Sequence, residues 1–224
     1  MNEAPAATRT VQRALRLLGA VTEGGGTLSD LARAVDLSPS TASRLLSTLT
    51  ISGFVRRDEL GRYRPGPRMR RLAAAALRED PLFELAGPHL EALAEESGET
   101  ANLAVSVEPG QAVYLRQVSS PRLVRSAGWT GRTIPIRGTA LGAALRGDLG
   151  SGGFATRSGA VEPDVTSIAA PVHGPDGAIV AALSVLAPSY RTSQRRVRSI
   201  GRAVAGHADA LSQGLGAPPK ERVA

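Results

Sequence analysis

Between residues 38 and 64 the chain carries two groups of side chains whose types and spacing could do chemistry together. Ser38, Ser40, Thr41, Ser43, Arg44 and Ser47 fall on the outer side of a helix whose inner side is Ala42, Leu45, Leu46 and Leu49. Just beyond it, Arg56, Arg57, Arg62, Tyr63 and Arg64 flank the turn Asp58-Glu59-Leu60-Gly61 of a short hairpin. Small hydroxyl side chains let a helix come close to base edges in a major groove, and the arginine fork matches guanine or phosphate. Like charges on a small hairpin repel unless an anion lies between them. The chemistry indicated is recognition of double-stranded DNA, with the helix reading bases and the hairpin holding phosphates. The plainer readings are a solvated helix face and a solubilising hairpin. Their adjacency favours DNA, and Arg9 and Arg13 just upstream join the same basic set.

Several elements must position these groups. Val11, Leu15, Leu18 and Val21 recur at helical spacing and predict a first helix over 10–22 with an apolar stripe, ended by Gly24-Gly25-Gly26. Thr27 with Asp30 makes a capping-box pattern ahead of Leu28, Leu31, Ala32 and Val35. Asp36-Leu37 forms a turn, and Ser38 with Pro39 is a helix start, because proline's missing N–H would be unsatisfied there anyway. Two short helices and a tight turn, followed by strands 54–57 and 62–64, predict a winged helix-turn-helix. Beyond Pro67, the stripe Met69, Leu72, Ala73, Ala76 and Leu77 predicts a further helix, ringed by Arg68, Arg70, Arg71 and Arg78.

The rest reads differently. Leu82, Leu85, Leu90 and Leu93 predict a helix to about Ser97; strands follow at 101–107, 111–118, 123–126 and 133–136. A small helix spans 138–145, and 149–161 is Gly- and Ser-rich without periodicity. Two nearly continuous apolar runs, 165–172 and 178–186, bracket Gly-Pro-Asp-Gly and predict central strands; a last helix carries Val197 to Leu215. The expected fold class is mixed α/β, α+β overall. The expected organisation is a DNA-binding domain at 8–66, a linker helix at 67–80, a sheet domain at 81–215 and a flexible tail at 216–224.

Composition bounds the function. Residues 1–80 hold 13 Arg against eight acids, most of the net +7, so the basic half faces a polyanion. No apolar run is long enough to span a membrane and no secretory signal opens the chain, so the cytoplasm is expected. With no cysteine there is no disulfide and no thiolate metal site; His89, His173 and His207 lie far apart and read as structural or exposed. No Gly-x-Ser-x-Gly elbow exists, and the single lysine, Lys220, excludes a P-loop. Neither an enzyme nor a bound cofactor is expected.

The runs TVQRALRLL, TLSDLARAVDLSPSTASRLLSTL and GFVRRDELGRYRPGPR resemble the DNA-binding domain of IclR-type transcriptional regulators. SPRLVRS, IPIRGTALGAAL and VTSIAAPVHGPDGAIVAALSV resemble that family's GAF-like α/β effector-binding domain. The resemblance implies a regulator that dimerises through its N-terminal domains and linker helix, often forms tetramers, binds a near-palindromic operator and responds to a small metabolite such as a carboxylic acid. By position it implies effector contacts from Leu123 and Arg125, from Gly138, Thr139 and Ala140 at a helix start, and from the hydroxyls of Ser167 and Ser184. The chain departs from the pattern twice: the segment between Leu145 and Val165 is short, and Leu186 stands where a second serine is common. A more apolar pocket, a more open one, or a degenerate one follows. The alternatives are then a DNA-binding architectural or partner-regulated protein and, more weakly, an enzyme built on a GAF-like domain.

Overall fold

The glycine triplet that ends the first helix does more than stop it. Gly25 adopts φ +64°, and a Cβ there would collide with the Tyr63 carbonyl. The chain therefore lies against the hairpin: Gly26 N–H donates to Tyr63 O, and Tyr63 N–H donates back to Gly26 O at 2.8 Å. The computed structural model describes residues 6–123 and 128–219. It divides into two compact units, 1–79 and 80–224.

In the first unit, α1 (Ala6–Thr22), α2 (Leu28–Ala34) and α3 (Pro39–Ile51) precede β1 (Val55–Arg57) and β2 (Tyr63–Pro65), and α4 (Pro67–Arg78) follows. The core is Leu17, Val21, Leu31, Ala32, Val35, Ala42, Leu46 and Val55. Full burial of one such leucine is worth about 1.5–3 kcal/mol. The expected α1 stripe holds in its second half only: Val21 is buried and Leu18 packs on the core, with Leu17 joining them, whereas Val11 and Leu15 are 58% and 60% exposed. The cap on α2 is complete, because Thr27 N–H donates to Asp30 Oδ2 at 3.1 Å while Asp30 N–H donates to Thr27 Oγ1 at 3.3 Å. Helix α4 buries none of its residues despite its apolar stripe.

The second unit is a six-stranded sheet in the order β5-β4-β3-β8-β7-β6, antiparallel at every pairing. Its strands are β3 (Thr100–Glu108), β4 (Gln111–Val118), β5 (Thr133–Pro135), β6 (Ala155–Ser158), β7 (Val165–His173) and β8 (Ile179–Pro188). Side chains alternate across a strand, so Ala181, Leu183 and Val185 of β8 face one side with Leu103, Ile168 and Ala170. That side packs on α5 (Pro81–Ser97) and α7 (Gln194–Gly214). Ala182 and Ala169 face the other side, under α6 (Ala140–Arg146). Covering both faces explains why β7 and β8 read as continuous apolar runs. Strand β6 lies inside the segment that sequence periodicity reads as loop. Of the strand expected at 123–126, Leu123 is in a bend and residues 124–126 lie outside those described.

Candidate nucleic-acid interface and ligand pocket

The outer side of α3 is built by its cap and its stripe. Ser38 Oγ accepts from Thr41 N–H at 3.3 Å and donates to Thr41 Oγ1 at 2.9 Å, so these two hydroxyls start the helix. Ala42 and Leu46 pin the inner side. Ser40, Ser43, Arg44 and Ser47 are left exposed along one face, and Arg44 has no acidic partner among the described residues.

The hairpin separates its arginines into two kinds. Asp58 accepts Arg62 N–H at 2.8 Å and Leu60 N–H at 3.1 Å, closing the turn; the first of these bonds, with Arg64 beside it, holds its carboxyl below the usual range. Arg57 Nε donates to Gly61 O at 3.0 Å and lies over the Tyr63 ring. Arg64 Nη1 donates to Gly24 O at 2.9 Å. Arg56 and Arg62 are exposed, without a side-chain hydrogen bond among the described residues. Tyr63 packs its ring against the core of this unit. Arg9 and Arg13 lie exposed on α1.

In the second unit a cavity of about 40 Å³ opens on the α6 side of the sheet. At roughly 10–15 Å³ per water it holds only a few waters as it stands. Tyr114, Trp129, Ile134, Thr139, Leu141 and Leu186 make most of its wall, with Ser167, Arg157 and Glu162 also lining it. Burial pushes the Tyr114 phenol up to about 12, slightly offset by the nearby Ser184 hydroxyl, so Tyr114 stays a protonated donor. Ser184 Oγ and Trp129 Nε1 are buried without a hydrogen bond of good geometry. Asn102, which faces Ser184 across the β3-β8 pair, has both side-chain polar atoms in the same state. Buried polar atoms usually have partners, so Asn102 and Ser184 mark a polar patch inside this side of the sheet.

The residues implied by resemblance scatter. Thr139 and Ser167 line the cavity, and Ser184 sits beside Tyr114. Thr139 is engaged, donating to Ile136 O at 2.8 Å and capping Gly142 N–H at 2.9 Å. Ala140 is buried in α6 and Gly138 is an exposed turn residue at φ +76°. Leu123 is 99% exposed and is not in the cavity wall, and Arg125 lies outside the described residues. The aromatic wall, Tyr114 and Trp129, is what sequence reading missed. A signal existed, since the chain has one Trp and three Tyr, and two of these four meet here.

The family model for the IclR helix-turn-helix domain matches residues 10–59, and that for the bacterial transcriptional regulator IclR C-terminal region matches 74–147 and 150–213. The chain belongs to the IclR family. It is accordingly a DNA-binding transcriptional regulator. It is 27% identical to the HTH-type transcriptional regulator BhcR of Paracoccus denitrificans, over 95% of this chain and 89% of that protein. Against the acetate operon repressor of Salmonella typhimurium identity is 34%, over 63% of this chain and 53% of that IclR-family protein. A solved IclR regulator from a Silicibacter species superposes with TM-score 0.80 at 27% identity, covering 94% of this chain and 98% of its own. An IclR homologue from Microbacterium hydrocarbonoxydans, solved with 4-hydroxybenzoate, shares the fold at TM-score 0.74 and 23% identity, over 92% of this chain and 98% of its own. Among the described residues no helix is long and apolar enough to cross a membrane.

Proposed function

We propose that this regulator binds a near-palindromic operator as a homodimer or a pair of dimers in the cytoplasm. In this reading α3 lies in the major groove, and a small-molecule effector in the α6-side cavity alters binding. The observation that carries it is the division of side chains in the first unit. Ser40, Ser43, Arg44 and Ser47 are outward and unengaged by the core, while Arg56 and Arg62 are exposed on the wing without a side-chain hydrogen bond among the described residues. Ser38 and Thr41 serve by starting the helix, so that its N-terminal turn meets the bases. Arg57 and Tyr63 support the wing from within.

Dimerisation is supported by apolar surface left without cover inside its own unit. Val11 and Leu15 project from α1, and Leu72 of α4 is half exposed. Such stripes on short helices favour burial against a second copy. Repression is the direction that the relatives' names favour, among them the acetate operon repressor. The cavity wall offers hydroxyl and indole donors beside Arg157 and Glu162, which suits the binding of a small polar guest. The cavity's small volume supports one rival reading, a regulator whose pocket has decayed.

Selection of genomic fragments by purified protein, at near-physiological salt with competitor DNA, tests the operator reading. Enrichment of one near-palindrome supports it; uniform, salt-sensitive recovery of all fragments overturns it. Melting the same protein with a panel of small acids and their amides separates a working pocket, which ligand stabilises, from a decayed one.

A further inference from the structure

Strand β6 ends the sheet, so one edge of its backbone has no neighbouring strand among the described residues. Beside that edge runs a groove of about 540 Å³, lined by the loop 148–152, by Phe154–Arg157 and by Arg198 and Arg202 of α7. Its floor is aromatic: the Phe154 ring lies so close to Gly201 that a Cβ there would strike it. Its walls are cationic. Arg198 and Arg202 are exposed and have no acidic partner among the described residues, whereas the Arg157 side chain lies on the other face of the sheet with Ser167. The one acid in the lining, Asp148, is already engaged by Arg146 at 2.9 Å. Arginines one turn apart on a helix repel each other, so Arg198 and Arg202 raise the energy of the empty groove.

We infer that this groove takes an extended acidic peptide of a partner protein, which adds to the β6 edge as a further strand and places its carboxylates on Arg198 and Arg202. Strand addition satisfies the free backbone N–H and C=O groups of the edge, and the side-chain pockets then select the sequence. The spacings agree. Carboxylates two residues apart on one face of a strand are separated by about 6.6–6.8 Å. Arg198 and Arg202, four residues apart on a helix, are about 6 Å apart along its axis. A DNA duplex could meet the charge but has no peptide backbone to pair with the strand. The plainer alternative is an edge protected from aggregation by its shortness and its arginine.

The test uses the full chain and a fluorescein-labelled eight-residue peptide of alternating Glu and Val, followed by anisotropy at two salt concentrations. Salt-sensitive binding is expected, weakened about tenfold or more by the double change Arg198→Glu and Arg202→Glu. Circular dichroism melts check that the variant stays folded, and Arg195→Glu, outside the groove, is compared with Arg198→Glu alone, which changes the net charge equally. A peptide of the same sequence with alternate amides N-methylated should bind much more weakly. The proposal is overturned by no binding, by equal binding of the N-methylated peptide or of a Lys-Val peptide, or by equal loss in Arg195→Glu and in Arg198→Glu alone. If the double change weakens only binding of a random-sequence duplex, the groove belongs to nucleic acid instead.

Discussion

Arg64 and Asp58 close the wing upon itself: Nε lies 3.4 Å from Oδ2, and the same guanidinium reaches back to the Gly24 carbonyl. Arg64 is therefore a structural residue in a hairpin whose neighbours Arg56 and Arg62 face outward. Replacing Arg64 by Ala removes a hydrogen bond to a backbone carbonyl, worth on the order of 1 kcal/mol. The melting temperature of the first unit should fall by about 4–8 °C, the usual response of a domain this small. Arg62→Ala should leave melting unchanged and weaken DNA binding. Thermal denaturation beside a binding titration checks both, and equal melting of the two variants would remove the distinction.

Arg44 and Arg56 should differ in another way. Arg44 stands on α3 among small hydroxyls, where an arginine meets base edges; Arg56 stands on the wing, where it meets phosphate. Arg44→Ala should cost about 1–3 kcal/mol on the operator and relax preference at particular positions. Arg56→Ala should weaken operator and random DNA alike and reduce the slope of log K against log salt by about one. Titrations of both variants on both DNAs at four salt concentrations decide it, and identical profiles would sink the assignment of roles.

These elements were legible because each local signal agrees with its neighbours. Ser38-Pro39, the Thr27-Asp30 pair and the 3.6-residue stripes of α2 and α3 are short-range features, and the structure realises all three. The two apolar runs around Gly-Pro-Asp-Gly likewise pair as β7 and β8. What stayed hidden depends on distant contacts. Nothing near Val11 and Leu15 tells a periodicity count that these two stay exposed while Leu17 joins Val21 in the core. Ala155–Ser158 has no apolar alternation and becomes a strand only because β7 offers it an edge. His89 and His207 look unrelated in sequence, yet α5 and α7 bring their Nδ1 atoms to 3.1 Å. The cavity wall was obscured for the same reason, since Tyr114, Trp129 and Leu186 come from three separate stretches.

That histidine pair makes stability depend on pH. Burial, and then the nearby His207, push the His89 pKa below its ordinary 6.5. His207 meets it through Nδ1 and turns Nε2 to Glu96 at 3.3 Å. Between the two His89 values the unfolded chain binds the extra proton, so stability rises with pH there. The contribution is fully present above 6.5 and is lost as pH falls through the lower folded value. Urea midpoints should drop more between pH 7.5 and pH 5.5 for the native chain than for His89→Gln; parallel drops would exonerate this pair.

The Ser184 hydroxyl yields the sharpest expectation for the pocket. It is buried on β8 without a well-formed hydrogen bond, beside the Tyr114 phenol and opposite Asn102. Leaving such a group unpaired costs roughly 1–3 kcal/mol, so Ser184→Ala should stabilise the ligand-free protein or leave it unchanged, the reverse of most buried substitutions. A ligand that bonds to this hydroxyl stabilises the native state by mass action. Ser184→Ala should then shrink that gain, while Tyr114→Phe, which keeps the ring and removes only the donor, should shrink it by a similar amount. Melts with and without a stabilising ligand measure both effects. If Ser184→Ala melts several degrees lower without ligand, the hydroxyl has a partner already, and the reading of an unsatisfied polar patch fails.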